Sequence, residues 1–220
     1  MLRLEPRFRL GVYVFEEAEI LDFAAPCGVF SVAGRMDPGL EVVVLAESGA
    51  PVVTRSGFKV VPALSLEDAG ALDAFLLPGG PGARREMHNE RLRGFISRLP
   101  PDTLLASVCS GALILGRMGL LDGLRATSRK EPDPGSFSFS RTSLVDVLSE
   151  VAPRARLSRA RLVDCGRVIT SGGAAAGLDM GLHLLRRAGH GDSFVSEVAR
   201  VMDYTLGYEI YLGDVELCHS

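Results

Sequence analysis

The sequence predicts an α/β fold with a mostly parallel central sheet whose two faces are covered by helices. Strand-like and helix-like segments alternate along most of the chain. The predicted strands are continuous apolar runs, which is typical of strands buried on both faces. The 220 residues contain no internal repeat and no linker, so we predict a single domain over residues 1–220.

The first half of the chain supplies mainly β structure. Residues 8–15 alternate and then run apolar, which predicts the first strand. Residues 24–34 predict a helix with Pro26 in its first turn, because proline lacks the N–H that a helix interior needs. Segments rich in valine, leucine or turn residues then predict a strand at 41–46, a hairpin at 51–61 around Ser56-Gly57, and a strand at 72–77.

The second half contains most of the predicted helices. An apolar strand at 104–108 leads directly into Cys109, and an apolar helix follows as far as Met118. Residues 128–140 are rich in proline and serine, and we expect them to form a loop near the mouth of the site. The other predicted elements are helices at 90–99, 143–151, 178–188 and 193–206 and paired strands at 156–163 and 167–170.

Composition argues against several classes of partner. The formal net charge is −3, whereas a nucleic-acid-binding protein needs a basic face. The longest uncharged apolar stretch, residues 104–116, is too short to span a membrane. Residues 1–15 lack the features of a signal peptide. We therefore expect a cytoplasmic protein that binds neither nucleic acid nor a membrane.

The four cysteines are widely scattered, and no CxxC spacing suggests zinc. We therefore expect no metal site, and we expect a reducing cytoplasm to keep all four cysteines as thiols.

Cys109 lies where the apolar strand ends abruptly and small residues lead into a helix. This pattern predicts a nucleophile elbow, a sharp strand-to-helix turn that presents one reactive side chain. The N-terminal end of the helix would favour the nucleophilic thiolate. The alternative is a buried cysteine that acts as a small hydrophobic residue.

Loops at the carboxyl edge of the sheet are the candidate partners of Cys109. The turn at 79–82 offers the backbone N–H groups of Gly79 and Gly80, which could stabilise negative charge together with the Ser110 N–H. Gly172 and Gly173 follow another strand toward the same edge. The alternative is that these are tight turns that bind nothing. Phosphate-loop and dinucleotide spacings are absent, so we expect no cofactor.

Asp22 is the candidate acid, because it lies among apolar residues after the first strand. It is either a helix cap or a functional carboxyl. Burial would raise its pKa, so a protonated Asp22 could donate a hydrogen bond to the thiolate, whereas an ionised one would oppose thiolate formation. A cysteine–histidine pair is less favoured, because Ser110, not histidine, follows Cys109 and the histidines lie elsewhere: His88, His183, His190 and His219.

Several motifs resemble the ThiJ/PfpI superfamily, which shares the class I glutamine amidotransferase-like fold. They are Leu21-Asp22-Phe23-Ala24-Ala25-Pro26 with Val29-Phe30, Leu77-Pro78-Gly79-Gly80-Pro81-Gly82, Val108-Cys109-Ser110-Gly111-Ala112, Gly119-Leu120-Leu121-Asp122-Gly123 with Ala126-Thr127, Thr170-Ser171-Gly172, and Gly177-Leu178-Asp179. The resemblance implies a flavodoxin-like three-layer sandwich and a homodimer with its site near the interface.

Within this superfamily the chain is most similar to the isonitrile hydratase branch and to the sensor domains of AraC-type regulators. The first resemblance implies a hydratase acting on a small carbon–nitrogen substrate, with Cys109, Asp22 and Ser110 in catalytic roles. The second implies a small-molecule or redox sensor. Serine replaces the usual threonine at Ser110, Phe23-Ala24-Ala25 precedes Pro26 in place of Leu-Thr-Gly, and Arg129-Lys130 stands where the hydratase branch has His-Trp. A PfpI-type amidase is the third possibility, although the Cys-His pair of that type is missing.

Overall fold

The computed structural model describes residues 8–132 and 143–218, which form twelve strands and eight helices. The strands are β1 (Phe8–Tyr13), β2 (Leu40–Ala46), β3 (Val52–Val53), β4 (Lys59–Val60), β5 (Leu64–Ser65), β6 (Ala74–Leu77), β7 (Leu104–Val108), β8 (Arg125–Ala126), β9 (Arg156–Leu157), β10 (Leu162–Cys165), β11 (Val168–Ser171) and β12 (Val215–Leu217). The helices are α1 (Ile20–Ala33), α2 (Ala83–Glu86), α3 (Glu90–Arg98), α4 (Gly111–Arg117), α5 (Leu144–Val151), α6 (Ala176–Arg187), α7 (Asp192–Val201) and α8 (Thr205–Leu212).

Eight of these strands form the central sheet, in the order β12-β10-β11-β7-β6-β1-β2-β5. Every neighbouring pair is parallel except β10 and β11, which are antiparallel. The middle strands β6 and β7 are buried along their whole length, as their apolar sequences predict. The mostly parallel sheet is therefore confirmed.

The helices form two separate groups. Helix α1 packs against α6 and α7, and α8 joins this group through α6 and α7. Helix α4 packs against α2 and α5. The sheet between them carries several of the largest fully buried side chains, among them Phe75, Leu105 and Tyr13. The three-layer α/β sandwich is confirmed, and it brings the ends of β1, β6, β7 and β11 to one edge.

The boundaries of two helical regions differ from the sequence prediction. Helix α1 begins at Ile20, four residues before the predicted start, so Pro26 lies inside the helix. A proline there cannot donate to the carbonyl of Asp22, and the flanking turns keep the helix continuous. The last predicted helix, 193–206, is instead two helices, α7 and α8. The chain breaks between them at Asp203, whose φ is 51°.

The hairpin predicted at 51–61 is confirmed by the antiparallel pair β3 and β4. The strand predicted at 156–163 is interrupted, because β9 pairs with β8 and only β10 enters the central sheet. The loop predicted at 128–140 lies partly outside the described residues, from 133 onward.

The expectation that all four cysteines are thiols is wrong for two of them. Cys165 and Cys218 form a disulfide with a Cα–Cα distance of 4.7 Å. The pairing follows from the sheet, because β10 and β12 are parallel neighbours and these residues lie at their ends. Cys27 and Cys109 are free thiols. Across residues 8–132 and 143–218, each helix is too short or too polar to cross a lipid bilayer.

Candidate functional site

Cys109 occupies the strand-to-helix turn between β7 and α4. Its φ is 56°, a left-handed conformation that costs a residue with a side chain about 1–2 kcal/mol. The turn is held by hydrogen bonds from the Cys109 N–H to the Gly172 carbonyl at 2.7 Å and from the Ser128 hydroxyl to the Cys109 carbonyl at 2.7 Å. A strained backbone held from two sides is the geometry of a nucleophile elbow. The residue is 8% exposed.

Asp22 is fully buried in the first turn of α1. Its Oδ2 atom accepts a hydrogen bond from the Gly79 N–H at 2.8 Å. Its Oδ1 atom forms no hydrogen bond of normal geometry with any described residue. The carboxyl therefore does not cap its own helix, and its functional role stays a prediction.

Burial raises the pKa of Asp22 from 3.8 to about 7. The Gly79 N–H opposes this shift because it stabilises the carboxylate, while the nearby charge of Glu19 adds to it. A weak hydrogen bond with the Cys109 thiol and the charge of Arg129 also lower the pKa. Asp22 is thus divided between its neutral and ionised forms near pH 7.

The pKa of Cys109 is raised to about 12, first by burial and then by the charge of Asp22. Arg129 and the Ser110 N–H act in the opposite direction. Desolvation and the neighbouring carboxylate therefore favour the protonated thiol, against the effect expected from the N-terminal end of helix α4, which has only seven residues.

Gly79 and Gly80 bring the turn after β6 against the elbow. A Cβ on Gly79 would lie 2.6 Å from the Ser110 N and 2.7 Å from Asp22 Oδ2, so only glycine permits this approach. Gly80 has a φ of 121°, which also favours glycine. The Gly80 N–H donates to the Ser110 hydroxyl at 2.9 Å. That hydroxyl donates back to the Gly80 carbonyl at 3.2 Å.

The glycine amides that we predicted to stabilise an oxyanion have partners within the protein. The N–H groups of Gly79 and Gly80 donate to Asp22 and Ser110, and the Gly172 N–H donates to the Arg161 carbonyl at 3.0 Å. Gly173 starts the turn that enters α6. The amides of Gly79, Gly80 and Gly172 would each have to exchange these partners to bind an oxyanion, and the oxyanion role stays a prediction.

Two further residues belong to the site and were not predicted. Ser128 holds the Cys109 carbonyl, and the positive charge of Arg129 lowers the pKa of both Cys109 and Asp22. Their signal in the sequence is the segment that follows Thr127, where Arg129-Lys130 replaces the aromatic pair of the hydratase branch.

Two of the described histidines, His183 and His190, have side-chain partners away from the elbow. His183 contacts Asp164 and Tyr211, each at 2.7 Å. His190 lies 3.3 Å from Asp37. Among the hydrogen bonds of residues 8–132 and 143–218, none joins a histidine to Cys109. The geometry gives Cys109 a carboxyl partner in place of an imidazole.

The fold and site together define a flavodoxin-like α/β protein with a cysteine elbow facing a buried carboxyl. The chain belongs to the DJ-1/PfpI family, whose model matches residues 9–187. The likeness extends to solved structures. A ThiJ/PfpI family protein from Pseudomonas syringae superposes with a TM-score of 0.75 at 25% identity, covering 91% of this chain and 76% of that one.

Relatives of two kinds share sequence with the chain. Isonitrile hydratase from Pseudomonas putida is 29% identical over 80% of this chain and 70% of its own length. The HTH-type transcriptional regulator GbdR from Pseudomonas aeruginosa is 28% identical over 89% of this chain, which spans 50% of the regulator. An AraC family regulator from Pseudomonas putida shares the fold, with a TM-score of 0.71 at 21% identity, over 89% of this chain and 99% of that one.

Proposed function

We propose that the protein is a cysteine-dependent enzyme that adds water to a small carbon–nitrogen substrate, as an isonitrile hydratase does. One observation carries this proposal: a buried carboxyl with a pKa near 7 lies beside the elbow thiol. A group that titrates near neutral pH is suited to transfer protons in both directions. The similarity to isonitrile hydratase supports the choice of substrate class.

The first step forms a carbon–sulfur bond. Because the thiol is protonated at neutral pH, ionised Asp22 accepts its proton as sulfur attacks the terminal isonitrile carbon. Asp22 then donates that proton to the same carbon. The product is a thioimidate on Cys109, and no proton is gained or lost overall.

The second step consumes one water molecule. Water adds to the thioimidate carbon, the carbon–sulfur bond breaks, and the sulfur regains a proton through Asp22. The other proton of water reaches the nitrogen, so the product is an N-substituted formamide. We assign positioning of this water to the Ser110 hydroxyl, which Gly80 holds in place.

Kinetics on a panel of isonitriles test the proposal. We expect the wild type to form N-substituted formamides, and Cys109→Ala and Asp22→Asn to be at least about 100-fold slower, as loss of a nucleophile or a proton-transfer group predicts. Cys27→Ala removes the other free thiol and should retain activity within about twofold. Because Asp22 must be ionised, kcat/KM should rise with pH through about 7. Equal rates for wild type and Cys109→Ala contradict the proposal.

Small-molecule sensing is the second candidate function. The raised pKa of Cys109 favours it over redox sensing, because a thiol that stays protonated reacts slowly with peroxide. The similarity to GbdR over most of the chain supports it. A ligand that raises the melting temperature equally in the wild type and Cys109→Ala, with no turnover in either, would favour sensing over catalysis.

A further inference from the structure

The disulfide between Cys165 and Cys218 fastens the last strand of the central sheet. Strand β12 has three residues and lies at the edge of the sheet, beside β10. Its side chains are half-buried or exposed, so apolar burial holds it weakly. Cys218 follows β12 directly, and its N–H donates to the Asp164 carbonyl at 2.8 Å. Because short edge segments with few buried contacts open at low free energy, the covalent bond is a main support of β12.

A series of main-chain hydrogen bonds leads from β12 to the elbow. The Asp214 carbonyl, directly before β12, accepts the Arg161 N–H at 3.1 Å. The Arg161 carbonyl accepts the Gly172 N–H at 3.0 Å. The Gly172 carbonyl in turn accepts the Cys109 N–H at 2.7 Å. The N–H side of the Cys109 turn is therefore held by backbone that β12 supports.

The carbonyl side of the same turn is connected to β12 through side chains. The Ser128 hydroxyl donates to the Cys109 carbonyl, and Ser128 lies in the segment that begins with β8. Arg125 of β8 forms an ion pair with Glu216 of β12. Glu216 also accepts a hydrogen bond from the Ser158 hydroxyl, next to β9, which pairs with β8. Both hydrogen bonds that hold the Cys109 turn thus depend on where β12 lies.

Other contacts limit how far Arg161 can move. Its side chain pairs with buried Asp179 at 2.5 Å and donates to the Tyr204 hydroxyl at 3.1 Å. These contacts fix the side chain, whereas the bond to Asp214 fixes the main chain that supports Gly172. Release of β12 should therefore loosen the path to the elbow without unfolding α6.

We propose that the disulfide between Cys165 and Cys218 is a redox-controlled latch on the nucleophile elbow. Cys109 has a φ of 56°, and a strained residue keeps such a conformation only while its surroundings hold it. A dithiol reductant converts the disulfide into two thiols and is itself oxidised to a disulfide, with transfer of two electrons and two protons. Both latch cysteines are half-buried at the sheet edge, where a reductant can reach them. Reduction frees β12 and relaxes the elbow.

Hydrogen exchange of single backbone amides, followed by NMR in the oxidised and the reduced wild type, tests the latch. We expect reduction to speed exchange at least about tenfold at Arg161 and Cys218 and at least about threefold at Gly172 and Cys109. Each increase is measured relative to Val14, whose N–H donates to a carbonyl of β2 on the other side of the sheet. Exchange at Val14 reports any loss of global stability.

Two results would overturn the latch. Faster exchange at Cys218 with no increase at Gly172 and Cys109 beyond that of Val14 would show that the disulfide does not act on the elbow. An increase at Val14 as large as that at Arg161 would show that reduction weakens the whole fold and releases no local element.

Two variants assign the effect to the disulfide. The double variant Cys165→Ser with Cys218→Ser should show the faster exchange without reductant and should not respond to it. Glu216→Gln removes the ion pair with Arg125 but keeps the disulfide. Exchange at Arg161 should therefore stay within about twofold of the oxidised wild type in this control. A double variant that exchanges like the oxidised wild type would contradict the latch.

Labelling with iodoacetamide, measured by mass spectrometry, follows the elbow thiol itself. Cys109 is 8% exposed, and a relaxed elbow exposes it further. We expect Cys109 to be modified at least about threefold faster in the double variant than in the oxidised wild type, with Cys27 as the internal reference. Equal rates would contradict the latch. None of these measurements requires a substrate, so their outcome is independent of the proposed function.

Discussion

Replacing Asp22 by asparagine should change how the stability of the protein depends on pH. Asparagine keeps an oxygen that accepts the Gly79 N–H but cannot ionise. Asp22 has a pKa of 3.8 in the unfolded chain and about 7 in the folded protein. The folded state therefore binds the proton more tightly. Its contribution to stability is complete below pH 3.8 and is lost as the pH rises through 7.

The size of the effect follows from the shift of about three pKa units. Each unit corresponds to about 1.4 kcal/mol, so the full loss is about 4 kcal/mol. Part of this loss of stability has already occurred by pH 5, because the Asp22 carboxyl of the unfolded chain is mostly ionised at that pH. Between pH 5 and pH 8 the wild type should lose about 2.5 kcal/mol relative to Asp22→Asn. The wild type should lose stability relative to Asp22→Asn as the pH rises, whatever the exact value of the raised pKa.

Urea denaturation at several pH values between 5 and 8 measures this difference. The free energy of unfolding of the wild type should fall relative to that of Asp22→Asn, with little change in the slope against urea. Asp102→Asn removes an exposed carboxyl and should follow the wild type. Parallel pH profiles for the wild type and Asp22→Asn would refute the raised pKa and, with it, the proton-transfer role.

Three further predictions concern the framework around the thiol. Gly79→Ala should destabilise the protein by about 2–4 kcal/mol, because the added Cβ would meet atoms at 2.6–2.7 Å. In the control Gly28→Ala the added Cβ would meet nothing within 4 Å, so this variant should be neutral or stabilising in thermal denaturation. Ser128→Ala removes the hydrogen bond to the Cys109 carbonyl and should cost about 1–3 kcal/mol in urea; an unchanged midpoint would contradict the assigned contact. The disulfide between Cys165 and Cys218 links residues 53 positions apart. Reducing it should lower the free energy of unfolding by up to about 4 kcal/mol, which a lower melting temperature in the presence of a reductant would show.

The central strands could be predicted because burial on both faces leaves a continuous apolar run, as in β6 and β7. Strands such as β5 and β8 have two residues each, and a two-residue strand has no periodicity to detect. The start of α1 was misplaced because Pro26 is typical of a first turn, whereas packing against α6 keeps the helix intact around it.

The site could be predicted to the extent that it depends on local pattern. Cys109 follows from the elbow, and Asp22 follows from a carboxyl in apolar surroundings at the sheet edge. The bond between Asp22 and the Gly79 N–H joins residues 57 positions apart, and the influence of Arg129 depends on how its loop packs. The Asp22–Gly79 bond has no local signal, and Arg129 is marked only by the departure from the hydratase-branch motif after Thr127. The homodimer and the cytoplasmic location stay predictions.

Peptide mass spectrometry of the acid-quenched reaction with an isonitrile tests the Cys109–Asp22 pair most directly. We expect a wild-type adduct on Cys109 whose added mass equals that of the isonitrile, which is the mass of a thioimidate. The adduct should be absent from Cys109→Ala and strongly reduced in Asp22→Asn. Formamide production that continues in Cys109→Ala, with no adduct in the wild type, would contradict covalent catalysis by this cysteine.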